Sequence, residues 1–105
     1  MRVNVRKFYT TPEKLAETIL DVAEGRRSYS PTDPLTVSRL DTPRGAFFVL
    51  DRHHRLVEAI AAGARDVAIE VNPHLPRIER TGGSYRHWVD RKVNIVDTLN
   101  ALSGA

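Results

Sequence analysis

The spacing of apolar positions divides the chain into seven elements. Arg2-Val-Asn-Val-Arg-Lys-Phe8 alternates polar and apolar residues, the period of a strand with one buried face. Thr10-Thr11-Pro12-Glu13 predicts a helix start: Thr11 as N-cap, proline at the first helical position, an acid in the first turn. Leu15, Ile19, Leu20, Val22 and Ala23 then recur on one helical face up to Gly25, with Arg26 and Arg27 complementing the helix dipole at its end. Residues 28–34 read as a loop. Leu35 to Leu40 alternates again, and Asp41 to Gly45 is a turn. Ala46-Phe-Phe-Val-Leu50 is a continuous apolar run of strand length, as expected for a central strand buried on both faces. A second helix carries Leu56, Val57, Ala59, Ile60 and Ala61 and stops at Gly63. Val67 to Val71 is a strand and Asn72 to Gly83 a loop. A last helix runs from Tyr85 or His87 to Leu102, with Trp88 anchoring it in the core.

The order strand, helix, strand, strand, helix, strand, helix predicts an α+β (small α/β) fold. Its mixed sheet has about four strands and is packed with three helices, and residues 1–105 form a single domain. Composition agrees: 105 residues, 41% hydrophobic and 28% charged, supply one modest core. The chain has no cysteine, which excludes a disulfide framework, a thiolate zinc site and a thiol nucleophile. No apolar stretch approaches the roughly 20 residues of a membrane span. The N-terminus MRVNVRKFY lacks a signal-peptide core. A cytoplasmic protein without membrane association is therefore expected.

Charge adds one feature. Thirteen of the sixteen basic residues are arginine. Between Arg77 and Lys92 five bases (Arg77, Arg80, Arg86, Arg91, Lys92) face two acids (Glu79, Asp90), so this segment carries the whole net charge of +3. Guanidinium forks match phosphate oxygens in geometry as well as charge. Arg77, Arg80, Arg86 and Arg91 are thus candidates for contact with nucleic acid or an acidic protein surface; a solvated, arginine-biased face accounts for them equally well. Thr81-Gly-Gly-Ser84, between Arg80 and Arg86, has the residue types of a phosphate cradle but lacks the Lys-Ser/Thr ending of a P-loop. Tyr85 and Trp88, among Arg86, His87 and Arg91, have the residue types that stack on bases.

The corner Asp51-Arg-His-His-Arg55 concentrates the chemistry. A buried strand ends in Asp51, ionisable residues follow, and a helix begins at once. The free N–H groups and dipole of a helix start favour an anion, and the cations Arg52 and Arg55 with His53 and His54 oppose that dipole unless an anion is present. Asp51 also suits a plain N-cap. The adjacent histidines cannot share a helix face, which argues against a two-histidine metal pair.

Phe48-Val-Leu-Asp-Arg-His-His-Arg-Leu-Val-Glu-Ala-Ile-Ala-Ala-Gly-Ala64 resembles the signature of the ParB/sulfiredoxin-like family: an apolar strand, Asp-Gly-x-His-Arg, an alanine-bearing helix, then Gly and a strand. Asp33-Pro-Leu-Thr-Val37 is similar to the strand that precedes it there. The resemblance spans roughly residues 33–71. It implies phosphate handling, since members include CTP-hydrolysing partition proteins, a free-serine kinase, ATP-using sulfiredoxins and proteins described as nucleases. It implies that Asp51 matches the catalytic acid of the kinase-type members, and that His54 and Arg55 match the phosphate-binding pair. Two departures matter. His53 stands where sulfiredoxins carry their nucleophilic cysteine, which removes sulfinic-acid reduction. Arg52 stands where the family has glycine, so a side chain enters the pocket or the backbone differs.

Two functions follow as expectations. One is phosphate or nucleotide binding at the corner, with nucleotide hydrolysis, phosphotransfer or nuclease chemistry. There Asp51, His53 and His54 are the candidate catalytic residues, Arg52, His54 and Arg55 the phosphate ligands, and Mg²⁺ with a nucleoside triphosphate the implied cofactor. The other is a non-catalytic binding or inhibitor module of a mobile element, acting through the Arg-rich segment 77–92.

Overall fold

Thr11 caps the first helix as its position predicts: its Oγ1 accepts the N–H of Lys14 at 3.3 Å, and Pro12 opens α1 (Pro12–Ala23). The computed structural model of the chain describes residues 1–25, 33–80 and 83–104. The expected loop 28–34 and the Arg26–Arg27 pair lie largely or wholly outside the described residues, as do Thr81 and Gly82 of the glycine-rich cradle.

The expectation of about four strands and three helices is corrected, among the described residues, to six strands in one mixed sheet with four α-helices; the class remains mixed α+β. The strands are β1 (Arg2–Asn4), β2 (Phe8–Thr10), β3 (Leu35–Arg39), β4 (Phe47–Asp51), β5 (Asp66–Val71) and β6 (Val93–Asn94), in the order β1-β5-β3-β4-β2-β6. The helices after α1 are α2 (His53–Ala61), α3 (Arg86–Asp90) and α4 (Ile95–Ser103).

Two local capping events account for the extra elements. The alternating segment 2–8 is two strands, not one. The Asn4 side chain accepts the N–H of Arg6 at 2.9 Å and turns Val5–Lys7 into a single 3-10 turn between them. The expected last helix is likewise broken. Asn94 accepts the N–H of Asp97 at 3.0 Å and starts α4 afresh, while Val93 and Asn94 pair with Thr10 and Tyr9 as a short edge strand.

The sheet is curled. Asn4 and Phe8 are four residues apart, a reach of at most about 14 Å. They nevertheless belong to strands separated by four spacings, which would measure roughly 19 Å in a flat sheet. Curling brings the two ends towards each other as a half-barrel, so β1 and β2 help to enclose one core.

β4 sits where its apolar run predicts, between β3 and β2, with side chains sent alternately to two cores. Phe47 and Val49 join Phe8, Leu15, Leu35, Val37 and Leu56 under α1 and α2. Ala46 and Phe48 join Leu40, Leu75, Ile78 and Val89 under the segment leading to α3. β2 and β4 run parallel, with Phe8 beside Phe47 and Tyr9 beside Phe48. Each is followed directly by a helix, so the starts of α1 and α2 stand side by side at one end of the sheet. No helix among the described residues is long and apolar enough to cross a membrane.

Candidate functional site

The two neighbouring strand-to-helix corners enclose a cavity of about 420 Å³. Thr10 and Thr11 from the end of β2, Glu13, Lys14 and Glu17 from α1, Phe48 and Leu50 from β4, His53 from α2 and Trp88 from α3 are among the residues that line it. It lies beyond the carboxyl ends of adjacent parallel strands, where ligands collect in α/β sheets. Its volume falls within the range of small-molecule sites.

Arg52 sets the geometry of the second corner. It is the N-cap of α2, with φ 67° and ψ 36°, a left-handed conformation. Among the described residues no other non-glycine has positive φ. An L-residue there bears a strain of roughly 1–2 kcal/mol that glycine escapes. Arginine also offers no acceptor, so α2 begins without a side-chain cap. Asp51, the candidate N-cap, does not fill that role. It ends β4 and its Oδ1 accepts the N–H of Arg52 at 2.8 Å. Urea unfolding should show Arg52→Gly more stable than Arg52→Ala by about 1 kcal/mol, because both lose the guanidinium and only glycine relieves the backbone. Equal stability would mean that the left-handed turn carries no strain.

The five corner residues take separate directions. Asp51 is exposed and pairs across the sheet with Thr36, which is itself the neighbour of Glu70 on β5. Arg52 is partly exposed, with Nη1 3.9 Å from Asp33 Oδ2. Its Nε is buried without a hydrogen-bond partner among the described residues.

His53 is 7% exposed, and its Nε2 lies 3.2 Å from Thr10 Oγ1 across the two corners. Burial pushes its pKa down to about 4, assisted by the positive charge of Lys14 and opposed by Asp51. The ring is therefore neutral at pH 7. His54 is 4% exposed and its Nε2 lies 3.1 Å from Asp21 Oδ2, tying α2 to α1 beneath the surface. Arg55 lies in a shallow cleft on the β1–β5 side with Arg2, Glu58 and Asp66. Of the five, His53 alone lines the cavity; Asp51 and Arg52 stand beside it in sequence at the start of α2, Arg52 reaching towards Asp33, and His54 and Arg55 point elsewhere.

The Arg-rich segment does not form one patch. Arg77 and Arg80 gather on Asp41 at the other end of β4. Arg86 borders a cleft with Glu79 and Asp90, and Arg91 pairs with Glu13 at the start of α1. A hydrogen bond from its own backbone N–H, together with Arg91, holds the Glu13 carboxyl below its usual range.

Trp88, expected in the core, is 41% exposed at the cavity wall and meets Tyr85 edge-on at 5.2 Å between ring centres. The break of the last helix explains this. α3 is only five residues long and buries Val89, which leaves Trp88 outward.

Sequence reasoning missed Thr10, Lys14 and Asp21. Thr10 and Lys14 belong to the corner read from Thr-Thr-Pro-Glu, but only the parallel pairing of β2 with β4 brings that corner beside the other. Asp21 gave no sign in the sequence, since its helical neighbours Glu17, Thr18 and Glu24 are polar and only the packing of α1 on α2 brings it to His54. Among the described residues no group of three His, Cys, Asp or Glu side chains stands ready to hold a metal ion. Comparison with protein-family models, with curated proteins and with solved structures finds no match.

Proposed function

We propose that the chain binds a nucleotide in the cavity between the two corners, with its phosphates at the start of α2. The observation that carries this reading is the uncapped, left-handed helix start at Arg52, set beside a second helix start at the carboxyl ends of parallel strands. Free backbone N–H groups and the dipole of α2 favour negative charge there. Arg52, whose buried Nε has no hydrogen-bond partner among the described residues, places a guanidinium next to that helix start. The exposed face of Trp88 suits a base, since stacking of an aromatic on a nucleobase needs no particular hydrogen-bond pattern.

The ParB/sulfiredoxin-like resemblance is retained as part of this proposal. What supports it is that Arg52 adopts the backbone a glycine takes freely, at the position where that family's pattern has glycine. In this reading Asp51 is the acid–base candidate for hydrolysis or phosphotransfer, exposed next to Arg52 at the end of β4. His53 serves as a neutral wall, because its proton affinity is too low for an acid near pH 7. Mg²⁺ fits a site with one exposed carboxylate beside phosphates, since it keeps several waters and needs only one or two protein oxygens. Asp51 would hold it as an alternative to the acid–base role, and the ion would screen the phosphate charge.

Trp88 is the chain's single tryptophan, so its fluorescence reports on the cavity directly. Saturable quenching by a nucleoside triphosphate, with weaker response to inorganic triphosphate, is the expected result. Equal response to both would remove the base from the proposal, and no response to either would overturn it.

A further inference from the structure

At the end of β4 opposite Asp51, a groove of about 570 Å³ runs between the β3–β4 turn and the chain that follows β5. Four arginines line it: Arg39 from the end of β3, Arg44 from the turn, and Arg77 and Arg80 from the far side. The backbone fixes their spacing. Arg39 bridges Arg77 in parallel register, and its N–H donates to Pro76 O at 2.9 Å. Glu79 accepts the N–H of Asp41 at 2.9 Å and of Thr42 at 3.3 Å, which secures the turn to Ile78–Arg80, a single 3-10 turn.

One carboxylate orients two of the guanidiniums. Asp41 accepts from Arg77 Nη1 at 2.8 Å and from Arg80 Nε at 3.1 Å, and both arginines keep further N–H donors. Arg39 is held over the Phe47 ring at 5.8 Å. Arg44 is exposed and pairs with no carboxylate among the described residues. Even with Glu79 counted beside Asp41, four cations, three of them held by these contacts, face two carboxylates, both already accepting hydrogen bonds from this framework.

From this arrangement we infer a second site, independent of the nucleotide cavity, in which Arg39, Arg44, Arg77 and Arg80 bind the sugar–phosphate backbone of a nucleic acid. Guanidinium forks held in a groove suit successive phosphates. The apolar lining residues Leu40, Ala46 and Phe47 are buried, so the groove offers no apolar anchor of the kind a protein partner needs. It also offers no exposed aromatic, because Trp88 lies in the other cavity. Recognition therefore reads phosphate and not base, and it is sequence-independent and salt-sensitive.

The test is fluorescence anisotropy with labelled single-stranded and duplex DNA of mixed sequence and with single-stranded RNA, at about 50 and 200 mM salt. The wild type is compared with Arg44→Glu/Arg80→Glu, and with Arg6→Glu/Arg65→Glu, which reverses the same number of exposed charges away from the groove. Thermal melting checks that each variant folds. Binding at low salt is expected to weaken at least about tenfold in the groove variant, with the log–log salt slope smaller by about 2, and to change far less in the control. The preference among the three polymers then tells which nucleic acid the groove fits. Equal losses in the two variants would reduce the effect to net charge and overturn the site. Polyglutamate competing as well as DNA of equal charge would overturn the nucleic-acid assignment, as would an absence of binding to all three polymers at low salt.

Discussion

Between pH 6.5 and 4 the fold should lose about 3 kcal/mol through His53 alone, and His53→Gln should remove most of that loss. The buried ring has its pKa lowered to about 4, whereas an unfolded chain binds the proton near the ordinary histidine value of about 6.5. As pH falls through this window the unfolded state takes up a proton that the folded state refuses. Stability is therefore fully present above pH 6.5, declines by up to about 1.4 kcal/mol per pH unit, and is flat for this group below pH 4. The groups facing the ring determine the sign. Desolvation acts first, Lys14 and His54 oppose the proton, and Asp51 favours it without prevailing. Glutamine keeps a hydrogen-bonding group near Thr10 and cannot titrate. Urea unfolding at pH 7, 5.5 and 4.5 checks the prediction by comparing slopes, since the carboxylates contribute equally to both proteins. Parallel curves for wild type and variant would show that His53 takes up its proton in the folded state as readily as in the unfolded chain.

Phe8→Ala should cost about 3–5 kcal/mol, a large part of the 5–15 kcal/mol typical of a domain, while Trp88→Ala should cost less than about 1 kcal/mol. Phe8 is 0% exposed in the three-residue strand that joins β4 to β6, with its ring 6.1 Å from that of Phe47. Removing it leaves a cavity that packed strands on both sides cannot close. Trp88 is larger, but 41% of it is already in solvent. Sequence pattern alone ranks the two the other way round, since the only tryptophan at helical spacing looks like a core anchor. Denaturant midpoints of the two variants decide between these orders, and a larger loss for Trp88→Ala would contradict the broken last helix.

The parts of the fold legible in sequence are those dictated locally. Thr-Thr-Pro-Glu carries its own helix start, and the apolar run through Phe47–Leu50 could only be a buried strand. The abrupt change at Asp51 marked a corner. What was not legible depends on distant partners or on a single side chain competing with a longer pattern. Asn4 and Asn94 each accept a backbone N–H close by and interrupt an otherwise regular period, which divided one expected strand and one expected helix. The parallel pairing of β2 with β4 has no signal in either strand, yet it places Thr10 against His53. The site shows the same division. The cluster Asp51–Arg55 was evident from charge, but an α-helix turns 100° per residue, so neighbours in sequence were bound to diverge. His53 faces the cavity, His54 the interior and Arg55 the far side of α2.

Nucleotide binding by this chain stands or falls with a phosphate-binding helix start beside a cavity that takes a base. Its most direct test is calorimetric titration with ATP, CTP and GTP, each with and without Mg²⁺, on the wild type and on Arg52→Ala. Saturable one-site heat is expected with at least one nucleotide, with an affinity at least about tenfold weaker in the variant, the loss that follows from removing one charged hydrogen bond. Silence from all three nucleotides, or equal affinity in Arg52→Ala, would contradict it.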